Sequence, residues 1–354
     1  MNKNIALIGT GYWGKNHARV LNELKDVNFD TIVDVNEKNG RPLARRYHTD
    51  YTTNYEDVIN NDDIDAVFIC TPNSTHYEIA KRALEAGKDV FVEKPMCLNV
   101  SDAIHLNQIA TDNDRILMVG HIFSYNSAIN TLKTLIDKRE LGELYFMISS
   151  RLGLFPPRLD SGVIYDLAIH DIDTIQYLLN RKLPVMVEAT GKSYLRQKYE
   201  EVAFISLEFE NDIIAHINAS WLTPAKIRNF WISGTKKTAY VDLMTQVLEI
   251  FEQRIEKVPN GNHNNGTALP DPLDYNLITK QGISFKPLIS AKEPMAEEDS
   301  HFIDCIVNRK RPLTDGNVAI STLLVADAAV QSLNLKKPIE MDSFKDQFTM
   351  NIVG

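Results

Sequence analysis

Cysteine is scarce in this chain of 354 residues, which contains only Cys70, Cys97 and Cys305. The three lie far apart and form no CxxC pair, so the sequence predicts neither a disulfide framework nor a structural zinc site. No other metal site is predicted. The cysteine usage fits a reducing cytoplasm, which is the predicted location.

Long apolar runs and clustered basic residues are also lacking. The first apolar stretch, Ile5–Ile8, is too short for a signal-peptide core, and no uninterrupted run approaches the roughly 18 residues of a membrane span. The formal net charge is −9, whereas non-specific binding to nucleic acid requires clustered Lys and Arg. The sequence therefore predicts no membrane and no nucleic-acid partner.

The length of the chain predicts two domains, because a single hydrophobic core stops growing at roughly 250–300 residues. Up to about Gly120, short apolar runs alternate with segments of helical period, the pattern of a doubly wound parallel sheet. Later strands such as Tyr145–Leu152 and Ile213–Ser220 alternate apolar and polar residues, which predicts an α+β domain with a large open antiparallel sheet. The predicted boundaries are 1–121 and 122–354, with a buried helix near 319–333 that could pack back on the first domain.

Individual elements of both domains are predicted in the same way. The strands of the first domain are expected at Ile5–Ile8, Phe29–Val33, Ala66–Cys70, Asp89–Val92 and Ile116–Val119. Its helices are expected at Gly14–Leu24, Glu37–Tyr47, Tyr55–Asn60, His76–Ala86 and Val100–Asn113. In the second domain helices are expected near Ser127–Arg139 and Gly162–Leu179, and an exposed loop over Pro259–Pro272.

A glycine motif, Gly9-Thr10-Gly11-Tyr12-Trp13-Gly14, follows the first strand and opens a helix. In a dinucleotide-binding turn the first glycine allows the tight turn, the second lets the pyrophosphate approach the backbone, and the third allows close packing of helix on strand. The helix N-terminus then offers free N–H groups to the phosphates. We expect Tyr12 and Trp13 to pack over this pocket.

An acidic residue, Asp34, ends the second strand 20 residues beyond Gly14, where a carboxylate accepts hydrogen bonds from the ribose hydroxyls. Its charge should repel a 2′-phosphate, which favours NAD over NADP. Asn36 and Lys38 leave other hydrogen-bonding schemes open.

Three more segments carry candidate chemistry. Thr71-Pro72-Asn73 with His76 and the tripeptide Glu93-Lys94-Pro95 each follow a predicted strand, where ligands bind in open α/β sheets. In the second half, Asp166 precedes His170 by four residues.

The glycine turn, the T-P-N-x-x-H segment, the E-K-P tripeptide and the D-x-x-x-H pair occur in that order, and with them the sequence resembles the Gfo/Idh/MocA family of oxidoreductases. The resemblance covers nearly the whole chain, including Glu293-Pro294 and His301-Phe302. It implies a cofactor held between the two domains and hydride transfer from a sugar or cyclitol carbinol. Family members commonly carry a glycine between the acid and the histidine, where this chain has Ala168, so the substrate fit is less transferable.

The residues themselves suit that chemistry. Oxidation of a secondary alcohol requires a base for the hydroxyl proton and a cation near the oxygen. His170 is the predicted base, Lys94 is expected to stabilise the developing alkoxide, and Asp166 either positions substrate or imidazole or pairs within the second domain. We predict that Thr71, Pro72, Asn73, His76, Glu93 and Lys94 contact the cofactor, with the alternative that His76 only begins its helix.

The substrate is the least constrained prediction. Residues 166–173, 221–228 and 233–235 look most like the branch of UDP-N-acetylglucosamine 3-dehydrogenases, which implies oxidation at C3 of a UDP-N-acetylhexosamine. The predicted substrate contacts are Lys94, Arg151, Asp166 and His170. The cations Lys226, Arg228, Arg151 and Arg158 either bind a diphosphate or are solvated charges.

Two alternatives remain for the function. One is a free-sugar or myo-inositol dehydrogenase, and the other is a non-catalytic NADH-binding regulatory protein. In either case an open sheet needs cover on its second face, which predicts a homodimer or homotetramer.

Overall fold

The computed structural model describes residues 2–195, 198–252, 254–259, 275–280, 282–290 and 292–348. Most of the predicted loop over Pro259–Pro272 lies outside these residues. The chain forms a parallel sheet, a larger mixed sheet and a short two-stranded ribbon.

The first sheet contains six parallel strands in the order β3-β2-β1-β4-β5-β6. They are β1 Lys3–Ile8, β2 Val27–Val33, β3 Asp50–Thr52, β4 Ala66–Ile69, β5 Asp89–Glu93 and β6 Leu117–Gly120. The helices of this part are α1 Tyr12–Glu23, α2 Glu37–Tyr47, α3 Glu56–Ile59, α4 His76–Glu85 and α5 Val100–Asp112. The parallel pairing of all six strands confirms the predicted doubly wound sheet. Its central strands are buried along their length, as is typical of parallel strands that are covered on both faces.

The second sheet contains nine strands in the order β16-β13-β12-β11-β7-β10-β9-β8-β17. After α6 Ser127–Asp137, its strands are β7 Leu144–Leu154, β8 Met186–Lys192, β9 Val202–Glu208, β10 Ile214–Ser220, β11 Leu222–Gly234, β12 Thr238–Asp242, β13 Val247–Phe251, β16 Ser284–Phe285 and β17 Ile339–Glu340. The ribbon pairs β14 Arg254–Pro259 with β15 Tyr275–Lys280. The large open sheet is confirmed, with the difference that β7 and β10 run parallel inside it.

One helix predicted over Gly162–Leu179 is divided in the structure. Residues Ile164–Ala168 form a π-helical turn, in which the N–H of Ile169 donates to the carbonyl of Ile164, and α7 follows over Ile169–Leu178. Such turns occur frequently at functional sites. Here the turn carries Asp166, and the first turn of α7 carries His170.

The last helices, α8 Pro294–Asn308, α9 Gly316–Leu335 and α10 Met341–Asp346, follow the second sheet in the chain. The ring of Phe302 on α8 lies 5.2 Å and 5.8 Å from those of Phe68 and Phe91 in the first sheet. Thr314 and Val119 exchange backbone and hydroxyl hydrogen bonds at 2.8–2.9 Å. The C-terminal part of the chain therefore completes the core of the first sheet.

Helix α9 lies between α5 and β8, so it contacts elements of both parts of the molecule. Among the described helices it alone is long and apolar enough to cross a membrane, and most of it is buried inside the fold. That burial is typical of a core helix.

One face of the second sheet is covered by α7, α9 and α6. The opposite face exposes large apolar side chains over 38–51% of their surface, namely Phe146, Ile148, Phe204, Ile214 and Trp231. An apolar patch on an open sheet is typical of a surface that is covered by another chain.

Candidate active site

The glycine turn connects β1 to α1. Its three glycines differ in what a Cβ atom would contact at each position. Gly9 has a φ of +96°, and a Cβ there would lie 2.7 Å from the carbonyl oxygen of Cys70. A Cβ on Gly14 would lie 2.0 Å from the carbonyl oxygen of Gly9. A Cβ on Gly11 would meet no protein atom within 4 Å. Packing therefore requires Gly9 and Gly14 but leaves open space above Gly11.

The N-terminus of α1 faces that space without a capping side chain. No side chain caps the helix at Gly11, and the first turn contains no acidic residue. Its N–H groups and the helix dipole are therefore available to an anion. Tyr12 is 76% exposed at the same turn, with its ring 5.1 Å from that of Trp13.

Asp34, directly after β2, is held beside this turn. Its Oδ2 accepts a 2.8 Å hydrogen bond from the N–H of Thr10 and a second from the Thr10 hydroxyl, and its Oδ1 accepts from the N–H of Asn36 at 2.8 Å. A carboxylate has about four acceptor positions, so Asp34 keeps capacity for further donors. The open space at Gly11, the free helix N-terminus and this carboxylate together fit a dinucleotide.

His76 begins α4 and ties two loops of the first sheet together. Its Nδ1 lies 2.9 Å from the carbonyl oxygen of Pro95, and its Nε2 lies 2.9 Å from that of Thr71. Burial lowers the pKa of His76. Asn73, in the same segment, donates to the hydroxyl of Ser161 at 3.4 Å. The histidine thus positions the loop after β5, which carries Lys94, and its contact with a cofactor stays a prediction.

Lys94 follows β5 and reaches across to the π-helical turn. It is 5% exposed, and its Nζ donates to the carbonyl oxygen of Asp166 at 2.6 Å and to Oδ1 of that residue at 3.4 Å. Burial lowers the pKa of Lys94, although the carboxylate of Asp166 opposes the shift. The two residues that the sequence places 72 positions apart are therefore in direct contact.

Asp166 also binds two residues that the sequence did not connect to it. Arg158 Nε donates to Oδ1 at 2.5 Å, and the indole N–H of Trp221 donates to Oδ2 at 3.0 Å. Burial alone would raise the pKa of Asp166, but the charges of Lys94 and Arg158 and the indole bond outweigh it and lower this pKa. Asp166 is thus an ionised carboxylate that fixes Lys94.

His170, on the next turn, is 7% exposed. Its ring packs edge-on against Phe123 at 5.2 Å, and within the described ranges neither ring nitrogen has a hydrogen-bond partner. Burial, followed by the charges of Lys94 and Arg151, lowers the pKa of His170 well below its usual value. The imidazole is therefore neutral at neutral pH and able to accept a proton.

Arg151, whose contact with the substrate stays a prediction, has an internal partner in the structure. The side chain is 1% exposed, and its Nε and Nη2 each donate to the carboxylate of Asp171 at 2.8 Å. Its guanidinium carbon also lies 4.3 Å from the ring centre of Phe123. This arrangement supports α7 beneath His170.

Behind Lys94, the buried imidazole of His17 holds Glu93. His17 Nε2 lies 3.0 Å from Glu93 Oε1, and His17 Nδ1 lies 2.9 Å from Asp299 Oδ1 on α8. Burial alone would lower the pKa of His17, but the two carboxylates outweigh it and raise this pKa well above its usual value. The second oxygen of Glu93 accepts from the N–H of Lys94 at 3.1 Å. The one sequence signal for this group is a polar residue, His17, on the face of α1 that packs inward.

His121, after β6, is a second buried histidine. It is 2% exposed, and both ring nitrogens are buried without a hydrogen-bond partner in the part of the chain that the structure describes. Its Nδ1 lies 4.0 Å from Oδ2 of Asp173, and burial lowers the pKa of His121. Asp173 itself accepts hydrogen bonds from Arg181 at 2.5 Å and from Ser124 at 3.0 Å.

Comparison with known proteins identifies the family to which the chain is similar. Residues 3–121 match an oxidoreductase family with an NAD-binding Rossmann fold, GFO_IDH_MocA, and residues 129–240 match the GFO/IDH/MocA C-terminal domain. The inositol 2-dehydrogenase of Rhizobium meliloti is 27% identical over 96% of this chain and 100% of its own length. The UDP-N-acetylglucosamine 3-dehydrogenase of Acidithiobacillus ferrooxidans is 29% identical over 72% of this chain and 78% of its own.

Solved structures share the whole architecture. That of the Acidithiobacillus ferrooxidans enzyme has a TM-score of 0.78 and 23% identity over 95% of this chain and 99% of its own. A levoglucosan dehydrogenase in complex with NADH and levoglucosan has a TM-score of 0.80 and 19% identity over 96% of this chain and all of its own. These likenesses show a shared fold.

Proposed function

The chain belongs to the GFO/IDH/MocA family of oxidoreductases, and from that premise we propose that it oxidises a secondary hydroxyl of a sugar, at C3 of a UDP-N-acetylhexosamine, to a ketone. One observation carries the proposal. The buried amine of Lys94 meets Asp166 from the other part of the molecule, beside the neutral imidazole of His170. A cation and a base at one point are what an alcohol oxidation needs.

Each side chain has one task in this reaction. The ammonium of Lys94 donates a hydrogen bond to the carbinol oxygen and stabilises the charge that develops there. An imidazole nitrogen of His170 accepts the hydroxyl proton, and Asp166 holds Lys94 in place. Bound nicotinamide supplies the hydride acceptor, so the products are the ketone, NADH and one proton that leaves through His170.

The cofactor would be held by Gly9, Gly11, Gly14 and the N-terminus of α1, with Asp34 toward the ribose. A 2′-phosphate would bring negative charge to the Asp34 carboxylate, which supports a preference for NAD over NADP. Titration of the protein with NADH and with NADPH tests this preference, and tighter binding of NADPH contradicts it.

The reaction is tested by mixing the protein with NAD and single sugars and following the fluorescence of NADH, which reveals bound as well as released product. We expect a signal with UDP-N-acetylglucosamine or its galactosamine epimer and none with free sugars. A signal with myo-inositol alone would instead favour the activity of the Rhizobium meliloti relative. NADH binding without turnover of any sugar would favour a regulatory protein.

Two variants connect the reaction to the site. Lys94→Ala and His170→Gln should lose at least about a hundredfold in turnover, which is the lower range of a general acid or base contribution, and should keep NADH binding. His105→Gln, which changes an exposed histidine on α5, is the matched control and should keep full activity. Full activity in either site variant contradicts the assignment.

A second copy of the chain is the partner that we propose for the open face of the second sheet. The exposed apolar residues there lie in neighbouring strands, since Phe146 pairs with Ile214 and Ile148 pairs with Trp231. Burying such a patch in a homodimer or homotetramer removes apolar surface from water.

A further inference from the structure

Arg228 on β11 lies directly across from Arg151 on β7. Directly opposite residues of an antiparallel pair point to the same face of the sheet. Arg151 points toward α7, where it binds Asp171. Arg228 therefore points toward the same layer, which carries His170.

The strand bulges immediately before Arg228. Leu222 pairs with Leu154, whereas Ile227 pairs with Leu152, so β11 carries three extra residues over this interval. Bulges next to active sites aim side chains away from the regular ladder. This bulge begins one residue after Trp221, which binds Asp166.

The charge of Arg228 lacks a partner among the described residues. Each neighbouring carboxylate is engaged elsewhere, since Asp171 binds Arg151 twice and Asp166 binds Lys94 and Arg158. No carboxylate of the described ranges lies within 4.0 Å of the Arg228 guanidinium. It makes one polar contact there, from Nη1 to the carbonyl oxygen of Ile227 at 3.4 Å, and its Cζ lies 5.7 Å from the ring centre of Phe155.

The side chain of Arg228 destabilises the folded state. Arg228 is half-buried, and burial together with the charge of Arg151 lowers its pKa to about 10. Removing a cation from water beside a like charge destabilises a protein unless an anion compensates it. A ligand that brings an anion would supply the compensation, and a guanidinium fork matches phosphate and carboxylate oxygens in two hydrogen bonds.

The position of Arg228 limits where that anion is. Its charge contributes to the lowered pKa of His170, so the guanidinium lies within electrostatic reach of the proposed base. An anion at Arg228 is therefore part of the molecule that is oxidised at Lys94 and His170, or a close neighbour of it.

We propose that Arg228 binds an oxyanion carried by the sugar substrate, and that this oxyanion is the pyrophosphate of a nucleotide sugar. The inference rests on the proposed function for its substrate. It assigns the recognition of that substrate's anion to Arg228 rather than to Arg151.

The test compares Arg228→Gln and Arg228→Lys with the wild type. For Arg228→Gln we expect the KM for UDP-N-acetylglucosamine to rise about 10- to 100-fold, the range of a charge-assisted hydrogen-bonded pair, while kcat stays within about threefold. Arg228→Lys keeps the charge without the fork and should give a smaller rise. Lys192→Gln, at an exposed position on β8, removes the same charge elsewhere on the sheet and should leave KM unchanged.

Two further measurements separate this proposal from the proposed function. Binding of UDP to the protein in the presence of NADH, measured by calorimetry, needs no turnover and should weaken by the same factor in Arg228→Gln. Free glucuronate is the comparison ligand, and competition by glucuronate alone would move the assignment from pyrophosphate to a sugar carboxylate and overturn the nucleotide-sugar part. The unfolding midpoint of Arg228→Gln should equal or exceed that of the wild type, because an uncompensated cation is removed.

The outcomes are distinct. If the wild type oxidises UDP-N-acetylglucosamine and Arg228→Gln keeps its KM, the role of Arg228 is refuted and the proposed function stands. If no sugar is oxidised but UDP binds and weakens with Arg228→Gln, the anion site stands and the proposed function fails. An equal loss of NADH affinity in Arg228→Gln would show general damage to the site and refute the inference.

Discussion

Alanine at Gly11 separates a glycine that a ligand requires from glycines that the fold requires. The added methyl group meets no protein atom within 4 Å, and the backbone φ at Gly11 is −65°. We therefore expect Gly11→Ala to change the free energy of unfolding without cofactor by no more than about 1 kcal/mol, as Gly-to-Ala changes at compatible positions do. The fold should tolerate this change.

Cofactor binding should respond differently. The methyl group would fill the space in front of the N–H groups of α1, into which a pyrophosphate must come. We expect the Kd for NADH to rise at least about tenfold, which corresponds to about 1.4 kcal/mol. The loss would come from contact with the ligand alone.

Gly14→Ala is the matched comparison within the same turn. Its Cβ would lie 2.0 Å from the carbonyl oxygen of Gly9, so α1 must move away from β1. Overpacking of this kind costs about 1–3 kcal/mol or more. Urea denaturation without cofactor and fluorescence titration with NADH measure both variants, and a Gly11→Ala protein that binds NADH like the wild type would refute the reasoning.

Three other perturbations follow from the described contacts. The rate of sugar oxidation should fall as pH drops through the pKa of His170, with a midpoint below 6.5 because burial favours the neutral base; a pH–rate profile with a midpoint above 6.5 contradicts this. His17→Gln should lower the free energy of unfolding by about 3–5 kcal/mol, since Asp299 and Glu93 lose a buried partner. Because the pKa of His17 is raised, its contribution to the free energy of unfolding is complete below pH 6.5 and is lost as pH rises through the pKa of the folded state. Urea denaturation at both ends of this pH range measures the contribution. Equal stability of variant and wild type would contradict a stabilising role for the contacts of His17 with Asp299 and Glu93. Trp231→Glu should reduce the mass measured by light scattering to that of a monomer, and an unchanged oligomer would exclude this face as the interface.

Much of the first sheet could be predicted because its pattern is local. Buried strands such as Ala66–Ile69 are continuous apolar runs, and the glycine turn specifies its own geometry. The strand Asp50–Thr52 could not be predicted, since three residues carry no period. In the second part, the single helix expected over 162–179 contains a π-helical turn that depends on tertiary contacts.

The sequence predicts which residues form the candidate site, but it does not predict which residues contact them. Motif order points to Lys94 and His170. The partners of Asp166 come from residues 8 and 55 positions away, and no local pattern connects them. The inward direction of Arg151 could not be predicted, because a charged residue in an alternating strand is expected to face water, whereas here it points to a carboxylate.

The return of the C-terminal part to the first sheet has a consequence during synthesis of the protein. The hydrogen-bonding partner of Val119 is synthesised 195 residues later, and the ring of Phe302, which packs against Phe68, is also synthesised late. At translation rates of about 5–20 residues per second, that delay is roughly 10–40 s. For this time the nascent first sheet has an uncovered apolar surface, so a fragment ending at residue 121 should aggregate, and chaperones that bind exposed aromatic residues have their target early in translation.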